Sequence, residues 1–593
     1  AAIRQYVAGL ERRPRISLIM PVYNTPEQWL RRAIASVQAQ LYPHWELCIA
    51  DDASTLPHVR RVLEEAAADA RIRLTFREAN GGIAAASNSA LALAGGDFVG
   101  LLDHDDELAE TALVHVAAAL NGNAQLDFLY SDEDKLDEQG RRCDAYFKPD
   151  WNRELVLQQN YVCHFAVYRR QVLQQVGGFR AGFEGSQDYD LMLRVTERIP
   201  AGHIHHIPQV LYRWRKIPGS TALAVENKDY AAQAARRAVQ EHLERTGTRA
   251  RVEDGLVPHR HRVRYETPEP PPLVSLIIPT RDGYALLKQC LDSILRKTDY
   301  APYEILVVDN QSTDPQTLDY FKALGDSGQA RVLPYDRPFN FSAINNFAVA
   351  QARGEVVCLL NNDTEVLTPD WLRELVSYAI RPEIGAVGAK LLYADRRIQH
   401  AGVLLGIGDV AGHAHRFYDS TSTGYCDRLV LAQELSAVTA ACLAVRRAVY
   451  QQVGGMNTDD LRVAFNDVDF CLRILRAGYR NVWTPYAELL HYESATRGAD
   501  ITPEQRAVFQ KEVRYMQDTW GDLLANDPAY NPNLSLQSEW FRLAWPPRTH
   551  QPWRAAPEPE SPAQAGKRRE PTAFVSSPQP SQAAGESTRS GKP

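Results

Sequence analysis

Arg15-Ile-Ser-Leu-Ile-Met-Pro-Val-Tyr23 is a short apolar run closed by proline, and Val274-Ser-Leu-Ile-Ile-Pro-Thr280 writes it a second time. Each reads as a buried strand, because apolar residues follow one another with little polar interruption and proline ends the run. Ser17 and Ser275 lie 258 positions apart. The same offset of 258 carries Ile49-Ala-Asp-Asp-Ala-Ser-Thr55 onto Val307-Val-Asp-Asn-Gln-Ser-Thr313, and Leu101-Leu-Asp-His-Asp105 onto Leu359-Leu-Asn-Asn-Asp363. Three matches in one register mark the tandem duplication of a whole domain, since each unit far exceeds the roughly 20–50 residues of a solenoid repeat. A later pair, Gln187-Asp-Tyr-Asp-Leu191 and Asn466-Asp-Val-Asp-Phe470, is separated by 279, so the second unit holds 279 − 258 = 21 more residues. They are expected as a loop near 402–422.

Outward from the first strand, apolar runs and amphipathic periods alternate. Strands are predicted over 16–20, 46–50, 72–77 and 98–102, and helices over 29–38, 58–66 and 84–94. That order implies an α/β fold, a mostly parallel Rossmann-like sheet with helices on both faces in each unit. The chain divides into an extension (1–14), a first domain (15–225), a helical connector with the stiff Thr267-Pro-Glu-Pro-Pro-Pro272 hinge (226–272), a second domain (273–545) and a tail (546–593). The tail is rich in Pro, Ser, Gln and Ala and is expected to be disordered, because little apolar burial is available to offset ordering entropy.

The 593 residues carry 66 basic and 73 acidic side chains, a net charge of −7 that argues against a nucleic-acid partner. No apolar window reaches the roughly 20 residues of a bilayer-spanning helix, and the first ten residues lack a signal-peptide pattern, so a cytoplasmic location is expected. Eight scattered cysteines have no metal-finger spacing and read as buried free thiols.

Ligands of such sheets bind beyond the carboxyl ends of the strands, which gives weight to polar residues placed there. Asp51 and Asp309 each follow a strand, and each can accept from a base N–H or a ribose hydroxyl; an Asx-turn is the alternative. Asp103-His-Asp-Asp106 puts three carboxylates within four residues, a cluster that repels itself unless a cation sits among them. Mg²⁺ or Mn²⁺ suits so sparse a set, since either completes its shell with water and phosphate oxygens. Asp188 and Asp467 precede apolar helices, each with a second Asp two residues on. One member of each pair can cap the helix while the other acts as a base. His491 is a further candidate metal ligand. Counting 24 residues on from Asp188, as from Asp467 to His491, gives Tyr212, beside Arg213 and Arg215, which suit a diphosphate.

These residues together, with Val22-Tyr-Asn24, Ser36-Val-Gln-Ala-Gln40 and Asn80-Gly-Gly82, resemble the family 2 inverting nucleotide-sugar glycosyltransferases of GT-A fold, over about 15–220 and 273–497. The tandem form looks like bacterial proteins that build O-antigen, capsule or related surface polysaccharides. Asn340-Phe-Ser-Ala-Ile-Asn-Asn346 is similar to rhamnosyltransferase-type members. The resemblance implies a nucleotide-diphosphate sugar donor and a glycan or lipid-linked glycan acceptor. It places Pro21, Tyr23, Asp51, Asn80, Pro279, Asp309 and Asn346 at the nucleotide, Asp103, Asp105, Asp363 and His491 at the cation, and Asp188 and Asp467 as bases. Asn361 stands where the family has its first metal-site Asp, and Arg213 where His is common. Peripheral association with the inner face of the cytoplasmic membrane would rest on Lys567-Arg-Arg569.

Neither a pyrophosphorylase nor a dinucleotide dehydrogenase fits, because no Gly-rich phosphate loop follows the first strand. The rival reading is one working unit beside a silent unit that binds glycan or a partner.

Overall fold

The computed structural model describes residues 1–216, 228–492 and 502–554. The first strand, Ile16–Val22, is buried along its whole length, and the following helix, Glu27–Gln38, buries Leu30, Ala33, Ile34 and Val37 against the sheet. This i, i+3, i+4, i+7 stripe is what the amphipathic period requires. In the first unit the sheet runs Ile72–Phe76, Trp45–Asp51, Ile16–Val22, Phe98–Leu101, Ala166–Arg169, Phe128–Leu136, Ile204–Arg215, Glu107–Leu108. The second unit repeats the order with Arg331–Pro334, Tyr303–Asp309, Val274–Thr280, Val356–Leu360, Cys442–Arg446, Ile384–Leu392, Arg480–His491, Thr364–Val366. The first four strands of each are parallel. Beyond them the sheets are mixed, because Ala166–Arg169 and Cys442–Arg446 run antiparallel to both neighbours.

One glycine recurs at the same place in both units. Gly96 and Gly354 donate their N–H to the hydroxyls of Ser17 and Ser275, both at 2.9 Å, and those hydroxyls donate to the buried Glu46 and to Glu304. A Cβ on Gly354 would lie 2.6–2.8 Å from backbone atoms of Ser275, Val356 and Leu273, none of which can swing away. Gly354→Ala is expected to destabilise the chain by about 1–3 kcal/mol, the usual cost of overpacking. An unchanged denaturant midpoint would contradict this crowding.

The extra residues of the second unit are more than a loop. They include a hairpin, Val403–Leu405 with Ala411–His413, packed on the helix Pro503–Ala525. The connector packs on both units. Its helix Lys228–Arg245 lies along Gln187–Thr196 of the first unit, with His242 and Arg245 both bound to Glu197. Its hairpin Ala250–Asp254 with His261–Tyr265 ties the units together, since Tyr265 donates to Glu154 of the first at 2.7 Å and Arg262 pairs with Glu374 of the second.

Direct contacts complete one body. The Asn152 and Gln158 side chains bond the backbone of Glu434 and Ala432, continuing the second sheet's edge. Glu154, 1% exposed, pairs with Arg381 at 2.9 Å and Arg480 at 3.4 Å. After the last helix the chain returns to the first unit, where Asn531 donates to both oxygens of the wholly buried Asp132 at 3.0 Å. Of the tail, residues 546–554 are described, and Trp553 packs on His115. Residues 555–593, with Lys567-Arg-Arg569, lie outside the described residues, as does the boundary expected at 225. Among the described residues no helix is long and apolar enough to cross a membrane.

Candidate active sites at the strand ends

In each unit the candidate acids leave neighbouring strands at the same end of the sheet. Asp51 and Asp103 flank the strand Ile16–Val22, and Asp309 and Asn361 flank Val274–Thr280. Each pair therefore spans two strand spacings, about 10 Å. Asp51 accepts from the Ser54 N–H at 3.2 Å through one oxygen, while its other oxygen is buried without a partner. Asp309 accepts from the Ser312 N–H at 2.9 Å. The Asx-turn and the open lone pair coexist in Asp51. Pro21 and Pro279 are the next-to-last residues of their strands, beside these turns, and Tyr23 is 45% exposed. Asn80 is exposed and accepts only from Gly82.

Around Asp103 the first unit gathers a histidine that lies outside the duplicated motifs. His164 Nε2 lies 3.6 Å from Asp103, and its Nδ1 lies 3.4 Å from Glu133. Burial works to raise the Asp103 carboxyl, but the His164 ring overcomes this and holds it below its ordinary range. Asp106 is raised well above that range by burial and by the charges of Asp105 and Asp103. It accepts from the Tyr212 hydroxyl and the Arg215 N–H, both at 2.7 Å. Asp188 accepts from Asn160 at 2.8 Å and is raised by burial.

In the second unit, His491 Nε2 stands 3.2 Å from Asn361 and 3.3 Å from Asp363, whose Oδ1 is buried without a hydrogen-bond partner. Asp467 accepts from the Ala440 N–H at 3.0 Å and is raised by burial. Asn361 donates its backbone N–H to Ala441, the next residue, so base and acid group hang on one loop. Neither Asp188 nor Asp467 is an N-cap, since those positions are Ser186 and Phe465. Their partners Asp190 and Asp469 are fully buried and tie down Arg194 and Arg473, each at 2.8 Å.

Three sequence expectations change. Arg215 does not offer its guanidinium to a diphosphate: it is 1% exposed, bonded to Asp105 O and Glu107, and packed over Trp29. Asn346 holds a turn, its amide exchanging bonds with Met456 and accepting from Tyr450. Asp105, with its backbone carbonyl held by Arg215 and its carboxylate nearest His104, gives place to Asp106 in the cluster. Arg213 is partly buried, with Nε unpartnered.

Carboxylate oxygens and imidazole nitrogen form a donor set that fits a hard divalent cation, and the orphaned Asp363 oxygen beside His491 is such a donor. The glycosyl transferase family 2 model matches residues 17–177 and 275–454, one region within each copy of the duplication. The chain belongs to glycosyl transferase family 2. It is 51% identical over 547 residues to the uncharacterized protein y4gI of Sinorhizobium fredii, covering 92% of this chain and 60% of that one. It is 42% identical over 548 residues to the O-antigen biosynthesis protein RfbC of Myxococcus xanthus, covering 90% of this chain and 41% of that one. A chondroitin synthase of Escherichia coli is 28% identical over 241 residues, 40% of this chain and 34% of that protein. The family 2 chain thus spans less than two thirds of the length of these relatives.

Proposed function

We propose that each unit moves a sugar from a nucleoside diphosphate sugar onto a hydroxyl of a bacterial surface glycan or lipid-linked glycan, with inversion. The observation that carries this is the repeated placement of a half-buried aspartate with a raised carboxyl, Asp188 or Asp467, next to the acid group at the strand ends. Asp51 and Asp309 orient the nucleotide, the free oxygen of Asp51 accepting from it. Asp467 takes the proton of the acceptor hydroxyl as that oxygen attacks C1. The bond from C1 to the diphosphate breaks on the opposite face, and its electron pair leaves with the diphosphate. In the second unit Asp363 and His491 would hold Mg²⁺ or Mn²⁺, which supplies positive charge to the leaving diphosphate. The similarity to an O-antigen biosynthesis protein supports a surface polysaccharide as product.

A thermal-shift screen of nucleoside diphosphate sugars with and without Mn²⁺ tests the donor. One sugar nucleotide should raise the midpoint in the presence of Mn²⁺. Asp309→Ala and Asp51→Ala should each weaken that shift, and both together should abolish it. A shift that survives the double substitution would remove these aspartates from the nucleotide site.

A further inference from the structure

Each unit holds one imidazole against its acid group, yet the two imidazoles come from different strands. In the second unit the ladder sets Thr364 opposite His491. In the first unit the same ladder pairs Leu108 with Tyr212 and Glu107 with Arg213, so the next step sets Asp106 opposite Trp214. The counterpart of His491 is therefore Trp214. On the other side of the sheet, Phe98 pairs with Arg169 and Val356 with Arg446, which makes Ala441 the counterpart of His164. The units have made a reciprocal exchange, His164 with Trp214 in one and Ala441 with His491 in the other. The His164 ring lies 4.4 Å from Tyr212, stacked, and 5.3 Å from Trp214. It reaches the acid group from the opposite strand.

We infer that His164 is the cation ligand of the first unit, with Asp103, in the role proposed for His491 in the second. Ligand atoms of Asp103, Asp106 and His164 all lie within 4.8 Å of one another. Both Asp106 oxygens already accept hydrogen bonds, which leaves Asp103 and His164 to face the ion. Nδ1 of His164 lies 3.4 Å from Glu133 with no hydrogen bond formed, so a small turn of the ring would let an Nδ1 proton donate to that carboxylate and leave the Nε2 lone pair toward Asp103. A carboxylate that fixes the tautomer in this way is the usual support of a metal-bound imidazole. Glu133 is itself locked by Lys148, fully buried, whose Nζ lies 3.0 Å from the carboxylate and also donates to Val162 and His164 carbonyls. At the second unit's own acid group Asp363, the counterpart of Asp105, is 6% exposed, and its unpartnered Oδ1 lies 3.3 Å from His491 Nε2, the sign there that a ligand belongs between carboxylate and imidazole.

The inference rests on the transferase reading for the use of the cation. Its test is therefore a titration of the full chain with Mn²⁺ alone, followed by electron paramagnetic resonance, so that failure here leaves donor transfer untouched. The His491→Ala chain should retain one bound Mn²⁺. Adding His164→Ala should weaken that site more than tenfold, and adding Glu133→Gln instead should weaken it about 10- to 100-fold. Adding Trp214→His to His164→Ala should restore it, since the imidazole then returns by the second unit's route. If His491→Ala binds no Mn²⁺, or His164→Ala changes the affinity less than twofold, His164 is only an ion-pair partner and the inference fails. Lack of rescue by Trp214→His likewise overturns it, because a purely structural role predicts that result.

Discussion

Asp467→Asn is expected to lower sugar transfer by the second unit about 10²- to 10⁴-fold, the range that a positioned general base supplies. The amide keeps the shape and can still accept from the Ala440 N–H, but it cannot take a proton. Asp188→Asn should do the same to the first unit, where Asn160 holds the carboxylate. Assays with separate acceptors and each variant distinguish two working sites from one. Loss of all turnover in one variant alone would assign the other unit to binding. The pH dependence has a definite sign. Burial raises both carboxyls above the ordinary aspartate range, and only the ionised form is a base. Transfer should therefore fall on acidification at a higher pH than an exposed aspartate would give. A profile flat down to pH 4 would count against both assignments.

Lys148→Met should destabilise the first unit by about 3–5 kcal/mol, the cost of leaving a buried carboxylate without its cation. Lys148 is wholly buried and Glu133 4% exposed. Burial alone would push Glu133 up; the Lys148 charge and His164 overcome it and bring the carboxyl to about 2. With the folded value depressed, the stabilisation is complete above the unfolded value of about 4.5 and is lost as pH falls toward 2. A depression of that size corresponds to about 3 kcal/mol. In Lys148→Met that acid-dependent fraction should shrink, because the chief counter-charge is gone. Urea unfolding of both proteins at pH 7 and pH 3.5 measures it. A loss under 1 kcal/mol at pH 7 would show that His164 alone compensates Glu133.

The duplication and the first four strands were legible because both are written locally, in unbroken apolar runs and repeated strand-end acids. The strand ends predicted at 50 and 102 lie within one residue of Asp51 and Leu101. What escaped depends on pairing between distant strands. A constant offset of 279 from Asp188 and Asp467 sends His491 to Tyr212, whereas the ladders give 491 − 214 = 277. The first unit has an additional turn, Ala201–His203, before its long strand, and no motif announces it. His164 follows Asn160-Tyr-Val-Cys, a stretch with no repeat in the second unit, so duplication could not point to it. Arg215 and Asn346 looked available because sequence shows charge and polarity but not the neighbours that satisfy them. Asp106 shows the reverse: it drew no special weight, yet it anchors the Tyr212 hydroxyl and the Arg215 backbone.

The return of Asn531 to Asp132 sets an order of events during synthesis. Until residues near 531 leave the ribosome, the earlier half keeps a buried carboxylate short of two of its donors, the side-chain amides of Asn531 and Asn533. The hydrogen-bond set of this carboxylate is therefore completed only once the carboxyl-terminal half is made, although domains generally fold as they emerge.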